Sequence, residues 1–312
     1  MPARANPSRP GWWRRAHPWQ RVLVVSAAAV GLILATAGFH TVARLSGWLS
    51  ERMEPAELSA LLAPHYTIAK PDGVGPFPTA ILFHGCDGVA DNMHRWADAL
   101  VADGWAAVIV DSHTPRSILD YDMWRLVCAG QLLPGAERAG DVMTAISDAS
   151  AMPFVDQDRL ALIGMSHGGW SIMELLALDT AGRVPFNLTR PPAALSRDGL
   201  SGVQAVILVY PWCGLANRAR RRPWAHDAPA LFLLARDDVI APAAECERVA
   251  DALEAAGKDV STVVYPDVTH GFDQMEHTPL STLVFDEAAT RDAIANALAT
   301  MDRAVGRAAP AS

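Results

Sequence analysis

Ser166 stands in Gly164-Met165-Ser166-His167-Gly168, a G-x-S-x-G pentad at the end of the apolar run "RLALIG". A serine held between small residues, where a strand pattern gives way to a helix pattern, fits a nucleophile elbow. Such a turn leaves no room for side chains at Gly164 and Gly168 and pushes the hydroxyl out over the edge of a sheet. The helix that follows brings free N–H groups and a dipole suited to developing negative charge. The chemistry served is attack on a carbonyl carbon. The competing reading is a glycine-rich turn whose serine merely caps a helix.

A serine hydroxyl is a weak nucleophile, so it needs a base, and the base needs an orienting acid. After such an elbow the expected chain order is serine, then an acid, then histidine. "LFLLARDD" supplies Asp237 and Asp238 directly after an apolar run, and "VVYPDVTHGFD" supplies His270 after another. Both follow strand patterns and so belong to the sheet edge that carries Ser166. His270 is the expected base, whereas His277 falls in a more polar loop and reads as a surface residue. Two backbone N–H groups are the expected oxyanion donors. One belongs to His167. The other belongs to Cys86 in "LFHGCDG", where Gly85 and Gly88 allow close approach. Cys86 as a nucleophile lies after the wrong strand. The loops "DSHTPRSILDYDMW" and "YPWCGLANRARRRPW" carry Arg116, Tyr121, Trp124 and Trp212 as candidate substrate-binding residues. The competing reading is that these four pack the loops.

The elements that must position these groups alternate from Tyr66 onward. "TAILFHG", "WAAVIVDS", "RLALIG", "VQAVILVYP", "PALFLLA" and "VSTVVYP" are strand-like. "NMHRWADALVADG", "AERAGDVMTAISDAS", "GGWSIMELLAL", "PAAECERVADALEAAG" and the run "STLVFDEAATRDAIANALATMDRAV" are helix-like. Continuous apolar strands alternating with helices predict a mostly parallel sheet covered on both faces. We see no internal repeat and no linker within this region. Residues 64–306 therefore read as one domain, with 307–312 as a tail.

The N-terminus reads differently. Val22 to Phe39 is an uncharged apolar run, Arg14, Arg15 and Arg21 precede it, and no acidic residue occurs before Glu51. This is the pattern of a membrane span or signal sequence with its start held in the cytoplasm. The expected layout is a basic cytoplasmic segment (1–21), a transmembrane signal anchor (22–39) and a helical connector (40–63). The expected location is the inner membrane, single pass, with the main domain extracytoplasmic. Cleavage near Ala37, where "ATA" resembles a signal-peptidase site, is the alternative and would give a secreted or periplasmic protein.

The full chain of 312 residues has a net charge of −8. With no basic stripe, nucleic acid is not an expected partner. The four cysteines, Cys86, Cys128, Cys213 and Cys246, show no zinc-ligand spacing, so no metal is expected. They read as buried thiols or, in an exported domain, as a disulfide joining Cys128 to Cys213.

Taken together, "KPDGVGPFPTAILFHGCDG", "HRWADALVADGWAAVIVDSHTPR", "VDQDRLALIGMSHGGW", "ARDDVIAP" and "THGF" resemble the α/β-hydrolase superfamily, and within it the dienelactone hydrolase-like family. The resemblance runs from about Tyr66 to the C-terminal helix. It implies an α/β-hydrolase fold with about eight strands and helices on both faces. It also implies hydrolysis of a small-molecule ester or lactone, with no metal or cofactor. Dienelactone hydrolases proper carry cysteine at the elbow, so Ser166 points to ordinary ester chemistry. The family's acid precedes a proline by four residues, and Pro242 stands four after Asp238, which selects Asp238 over Asp237. A serine peptidase of the same fold and a non-catalytic membrane-anchored binding protein are the alternatives.

Overall fold

A computed structural model describes residues 15, 17–195, 199–276 and 281–307. His277 lies outside the described residues. So do most of the basic N-terminal segment and residues 308–312.

The first long element, α1 (Pro18–Leu45), opens with proline at its start, where the missing N–H costs nothing. From Val22 to Phe39 it is uncharged and predominantly apolar on every side, and its most apolar stretch is entirely unburied. By length and composition it could cross a membrane. The shorter α2 (Pro55–Leu62) follows, and its Leu58 and Leu62 are fully buried.

Among the described residues seven strands form one sheet: β1 (Tyr66–Ala69), β2 (Phe77–Phe83), β3 (Ala106–Val110), β4 (Val155–Met165), β5 (Val203–Val209), β6 (Ala230–Ala235) and β7 (Val260–Tyr265). Their order is β1-β3-β2-β4-β5-β6-β7, and β1 alone runs antiparallel. About eight strands were expected. Seven are found among the described residues, and the stretch just before β1 holds α2 and a short 3-10 turn.

Alternation along the strands splits the core in two. Ile81, Leu162 and Val206 lie level on one face, where α2, α5 (Gly135–Ser150), α6 (His167–Thr180) and α7 (Ala243–Ala255) cover them. Leu82, Ile163 and Ile207 point to the other face, covered by α3 (Asp91–Ala102) and α8 (Glu287–Ala304). Burial on both sides explains why the strand sequences are continuously apolar. A short helix, α4 (Trp124–Cys128), interrupts the loop before α5.

The topology fixes where a site can form. After β2 the chain leaves to α3 on one face, and after the adjacent β4 it leaves to α6 on the other. The two departures open a crevice beyond the carboxyl ends of these strands, the usual ligand position in such sheets.

Candidate active site

Ser166 is the hinge between β4 and α6. Its φ of 50° and ψ of −110° are a backbone conformation few residues other than glycine adopt. Three hydrogen bonds hold it there. Its N–H donates to the Val209 carbonyl at 2.9 Å, and its carbonyl accepts from the N–H groups of Trp170 (3.1 Å) and Trp212 (3.2 Å). Close packing dictates the flanking glycines. A Cβ at Gly164 would stand 2.5 Å from the Gly169 nitrogen, and one at Gly168 only 2.1 Å from the Phe83 carbonyl oxygen.

Ser166 Oγ lies 2.9 Å from His270 Nε2, and His270 Nδ1 lies 2.6 Å from Asp238 Oδ2. The carboxylate can only accept, so Nδ1 carries the imidazole proton and Nε2 is left to accept from the serine hydroxyl. Asp238 is itself pinned, with Oδ1 accepting the N–H groups of Ile240 (2.8 Å) and Ala241 (2.7 Å). All three residues are buried. Asp237 next door is exposed and only its backbone bonds inward, to the Val268 carbonyl. An arrangement of this kind can draw the proton from a hydroxyl as it attacks a carbonyl.

The His270 loop rests on a buried network that sequence reading did not find. The Tyr210 ring packs 4.7 Å from the His270 ring, and its O–H donates to Asp273 Oδ1 at 2.5 Å. Asp273 also accepts from Trp96 Nε1 (2.8 Å) and Asn92 Nδ2 (3.3 Å). Burial pushes the Asp273 carboxyl upward, and these hydrogen bonds oppose it. The four residues come from α3, the end of β5 and the last loop, and no local signal links them.

On the other side of Ser166, the loop after β2 passes so close that a Cβ at Gly85 would be 3.7 Å from Ser166 Cβ. The N–H of His167 lies in the first turn of α6, beyond reach of an intrahelical carbonyl. Beneath both lies Arg138, fully buried. Its guanidinium donates to the His84 carbonyl (2.8 Å), to Ser112 Oγ (3.1 Å) and to His167 Nδ1 (3.1 Å). His84 in turn accepts the Ser112 N–H on Nε2 at 3.1 Å, which leaves Nδ1 to donate to the Gly85 carbonyl at 2.6 Å. Arg138 looks like an ordinary helix charge in the sequence.

These histidines carry a pH consequence. Burial, with the Arg138 charge second, holds His84 and His167 well below the usual imidazole range and pushes His113 down to about 3. Asp111 opposes the shift at His113, while Arg116 adds to it. An unfolded histidine near pH 6.5 takes up a proton that its folded counterpart refuses. The stability this contributes is complete above pH 6.5 and falls as pH drops toward 3. For His113 this amounts to a loss of about 2 kcal/mol between pH 7 and 5, and His84 and His167 act in the same direction. Urea unfolding at the two pH values checks this, and equal midpoints would contradict it.

The serine opens into a cavity of about 1020 Å³. Cys86, His167, Trp124, Trp170, Trp212, Leu215 and Ile240 contribute to its wall, together with Thr41 and Leu45 from α1. Of the four candidate substrate-binding residues, Trp124 and Trp212 stand in this wall, while Arg116 and Tyr121 lie outside it. Arg116 is held in a two-pronged pair with the buried Asp141, at 2.8 and 3.0 Å, and Tyr121 is 99% exposed. The cysteines also pair differently. The disulfides are Cys86–Cys128 and Cys213–Cys246, not Cys128–Cys213, because α4 lies over the loop after β2 while Cys213 faces α7. Among the described residues no group of three His, Cys, Asp or Glu is placed to hold a metal ion.

A family model described as "Dienelactone hydrolase family" matches residues 192–305, the part that carries Asp238 and His270. The fold is similar to that of a putative dienelactone hydrolase from Klebsiella pneumoniae subsp. pneumoniae. That likeness has a TM-score of 0.58 and 20% identity, covering 76% of this chain and 92% of that one. Esterase 2 of Thermogutta terrifontis, solved phosphorylated by paraoxon, is similar with a TM-score of 0.57 and 17% identity over 79% and 90% of the two chains. A curated relative, acylamino-acid-releasing enzyme 1 of Oryza sativa subsp. japonica, is 24% identical over 171 residues. That match covers 46% of this chain and only 21% of the relative.

Proposed function

We propose that this chain is a serine hydrolase that cleaves a carboxylic ester or lactone through an acyl-enzyme on Ser166. The observation that carries the proposal is the unbroken hydrogen-bonded line from Ser166 Oγ through His270 to Asp238. In this reading Ser166 attacks the carbonyl while His270 Nε2 takes its proton. Asp238 holds the imidazole tautomer and stabilises the imidazolium. The N–H groups of Cys86 and His167 stabilise the oxyanion, and Arg138 positions both loops from below. His270 returns the proton to the leaving group, and water attacks the acyl-enzyme with His270 again as base.

The test is reaction with a fluorophosphonate, followed by mapping of the adduct and assay of short acyl esters. The phosphorylated state of the Thermogutta esterase makes this class of probe apt. A single adduct on Ser166 with ester turnover is expected. No adduct on folded protein would remove the proposal. The rice relative's name favours a second reading, in which the same triad releases acylated amino acids from peptides. Faster turnover of N-acyl aminoacyl amides than of the matching esters would favour it.

We further propose that α1 anchors the chain in a membrane with the catalytic body on the extracytoplasmic side. Two disulfides support an oxidising compartment. One of them, Cys86–Cys128, ties an oxyanion donor to the α4 wall. Replacing Cys128 with Ser should therefore lower kcat for a short ester on the order of tenfold, since full loss of one donor costs 100-fold or more. A kcat unchanged in that variant would show that the loop holds its shape without the bond.

A further inference from the structure

We infer that the active site draws its ester from a membrane leaflet, so that the substrate is an amphiphile whose acyl chain lies in the bilayer and passes the end of α1. This rests on the hydrolase reading and on α1 crossing a membrane.

The same helix that is long and apolar enough to span a bilayer also builds the cavity. Thr41 and Leu45 stand in the wall that holds Ser166 and His270. That end of α1 is fastened, not loosely tethered. His40 Nδ1 meets Gln131 Oε1 at 3.1 Å, and Gln131 Nε2 donates to Thr41 Oγ1 at 2.7 Å. Arg44 pairs with Glu137 at 3.5 Å, and Glu137 also accepts from Ser50 Oγ at 2.8 Å. Ala43 is fully buried. The helix axis and the cavity therefore keep a fixed relation.

That relation sets the cavity's depth. The uncharged apolar run ends at Phe39. At 1.5 Å per residue, Thr41 and Leu45 lie about 3 and 9 Å further along the axis. The headgroup zone of one leaflet is roughly 5–8 Å thick. The cavity wall thus runs from Thr41, just inside the headgroup zone, to Leu45 at its outer limit, so an acyl ester carbonyl near the hydrocarbon boundary rises only about 3 Å to meet it.

The rim agrees with this. Leu215 and Ile240 line the cavity yet are 72% and 44% exposed. Trp48, just past the end of α1, is 73% exposed. In water this apolar rim is unfavourable, whereas lipid would solvate it. The volume is at the upper end for a small-molecule pocket and accommodates a long acyl chain.

The test uses the full chain in vesicles of ether-linked phosphatidylcholine, which offer no carboxylic ester of their own. The probes are the palmitate and butyrate esters of one fluorogenic phenol. The palmitate rate should follow its mole fraction in the surface and not its total concentration. Leu45→Glu, which places a charge in the apolar wall, should lower palmitate turnover about tenfold more than butyrate turnover. Leu215→Glu on the rim should give the same split, which guards against one variant that folds poorly. Butyrate turnover without palmitate turnover, or equal losses in both variants, would overturn the inference. Fluorophosphonate labelling in the same vesicles separates the two readings. Labelled Ser166 without palmitate turnover removes the substrate class alone, and unlabelled Ser166 removes the hydrolase reading as well.

Discussion

Replacing Ser166 with Ala is expected to lower turnover of a short activated ester by about four to six orders of magnitude and to abolish fluorophosphonate labelling. The loss is large because the covalent step has no other acceptor at this position. Removing Oγ leaves His270 hydrogen-bonded to Asp238, so the imidazole stays in place with nothing to deprotonate except water. The strained φ of 50° is inherited by alanine, so the elbow is no more strained than before. The variant should keep the fold, which thermal unfolding checks. Residual hydrolysis above the background in water would come from the oxyanion donors and binding alone. Activity within tenfold of the parent chain would mean that the acyl group is carried elsewhere or that water attacks directly. The acyl-enzyme proposal would then fail.

The elbow was legible in the sequence because its constraint is local. Gly164 and Gly168 face backbone atoms of α6 and β2 at distances that exclude any side chain, and that exclusion is written as G-x-S-x-G. The strands were legible for a related reason: sheet faces buried on both sides demand unbroken apolar runs. Arg138 shows where legibility stops. It is a charged residue in a helix, and only the arrival of β2 and the start of α6 above it makes it a buried donor to His84 and His167. Tyr210, Asp273 and Asn92 are hidden for the same reason, since their contacts join three distant segments. Arg116 is the converse case. It stands in a substrate-loop sequence, yet the buried Asp141 leaves a charge that must be paired, and Arg116 is the group within reach. The cysteine pairing was likewise a matter of which loop α4 lies over, and spacing along the chain does not encode that.

The two parts of the molecule also constrain each other. An isolated α/β body would present Leu215 and Ile240 to water in the wall of its own cavity. An isolated apolar helix would need no fixed orientation at its end. Joined through Gln131 and Glu137, each supplies what the other lacks: the helix finishes the cavity wall, and the cavity gives the helix end its buried contacts. In the proposed arrangement the anchor does more than hold the enzyme near a surface, because it sets the height at which the serine meets that surface.

Asp238→Asn should lower kcat for the same ester by about 10⁴-fold, with the fold intact. The asparagine oxygen can still accept the N–H groups of Ile240 and Ala241, so it keeps the place of Asp238 Oδ1. Its amide nitrogen then faces His270 Nδ1 where Oδ2 stood at 2.6 Å. An amide N–H donates, so Nδ1 must accept, and the imidazole proton moves to Nε2. Nε2 then presents a hydrogen to Ser166 Oγ across 2.9 Å and can no longer take one from it. The base is present and well placed but in the wrong tautomer. Asp237→Asn is the control. That side chain is exposed and its backbone bond to Val268 is untouched by the change, so activity should stay within about twofold, as for a surface substitution. Rates of both variants, read beside their labelling kinetics, separate the adjacent acids. Loss of activity in Asp237→Asn with retention in Asp238→Asn would exclude the assigned line of proton transfer, whatever the hydrogen bonds in the resting site.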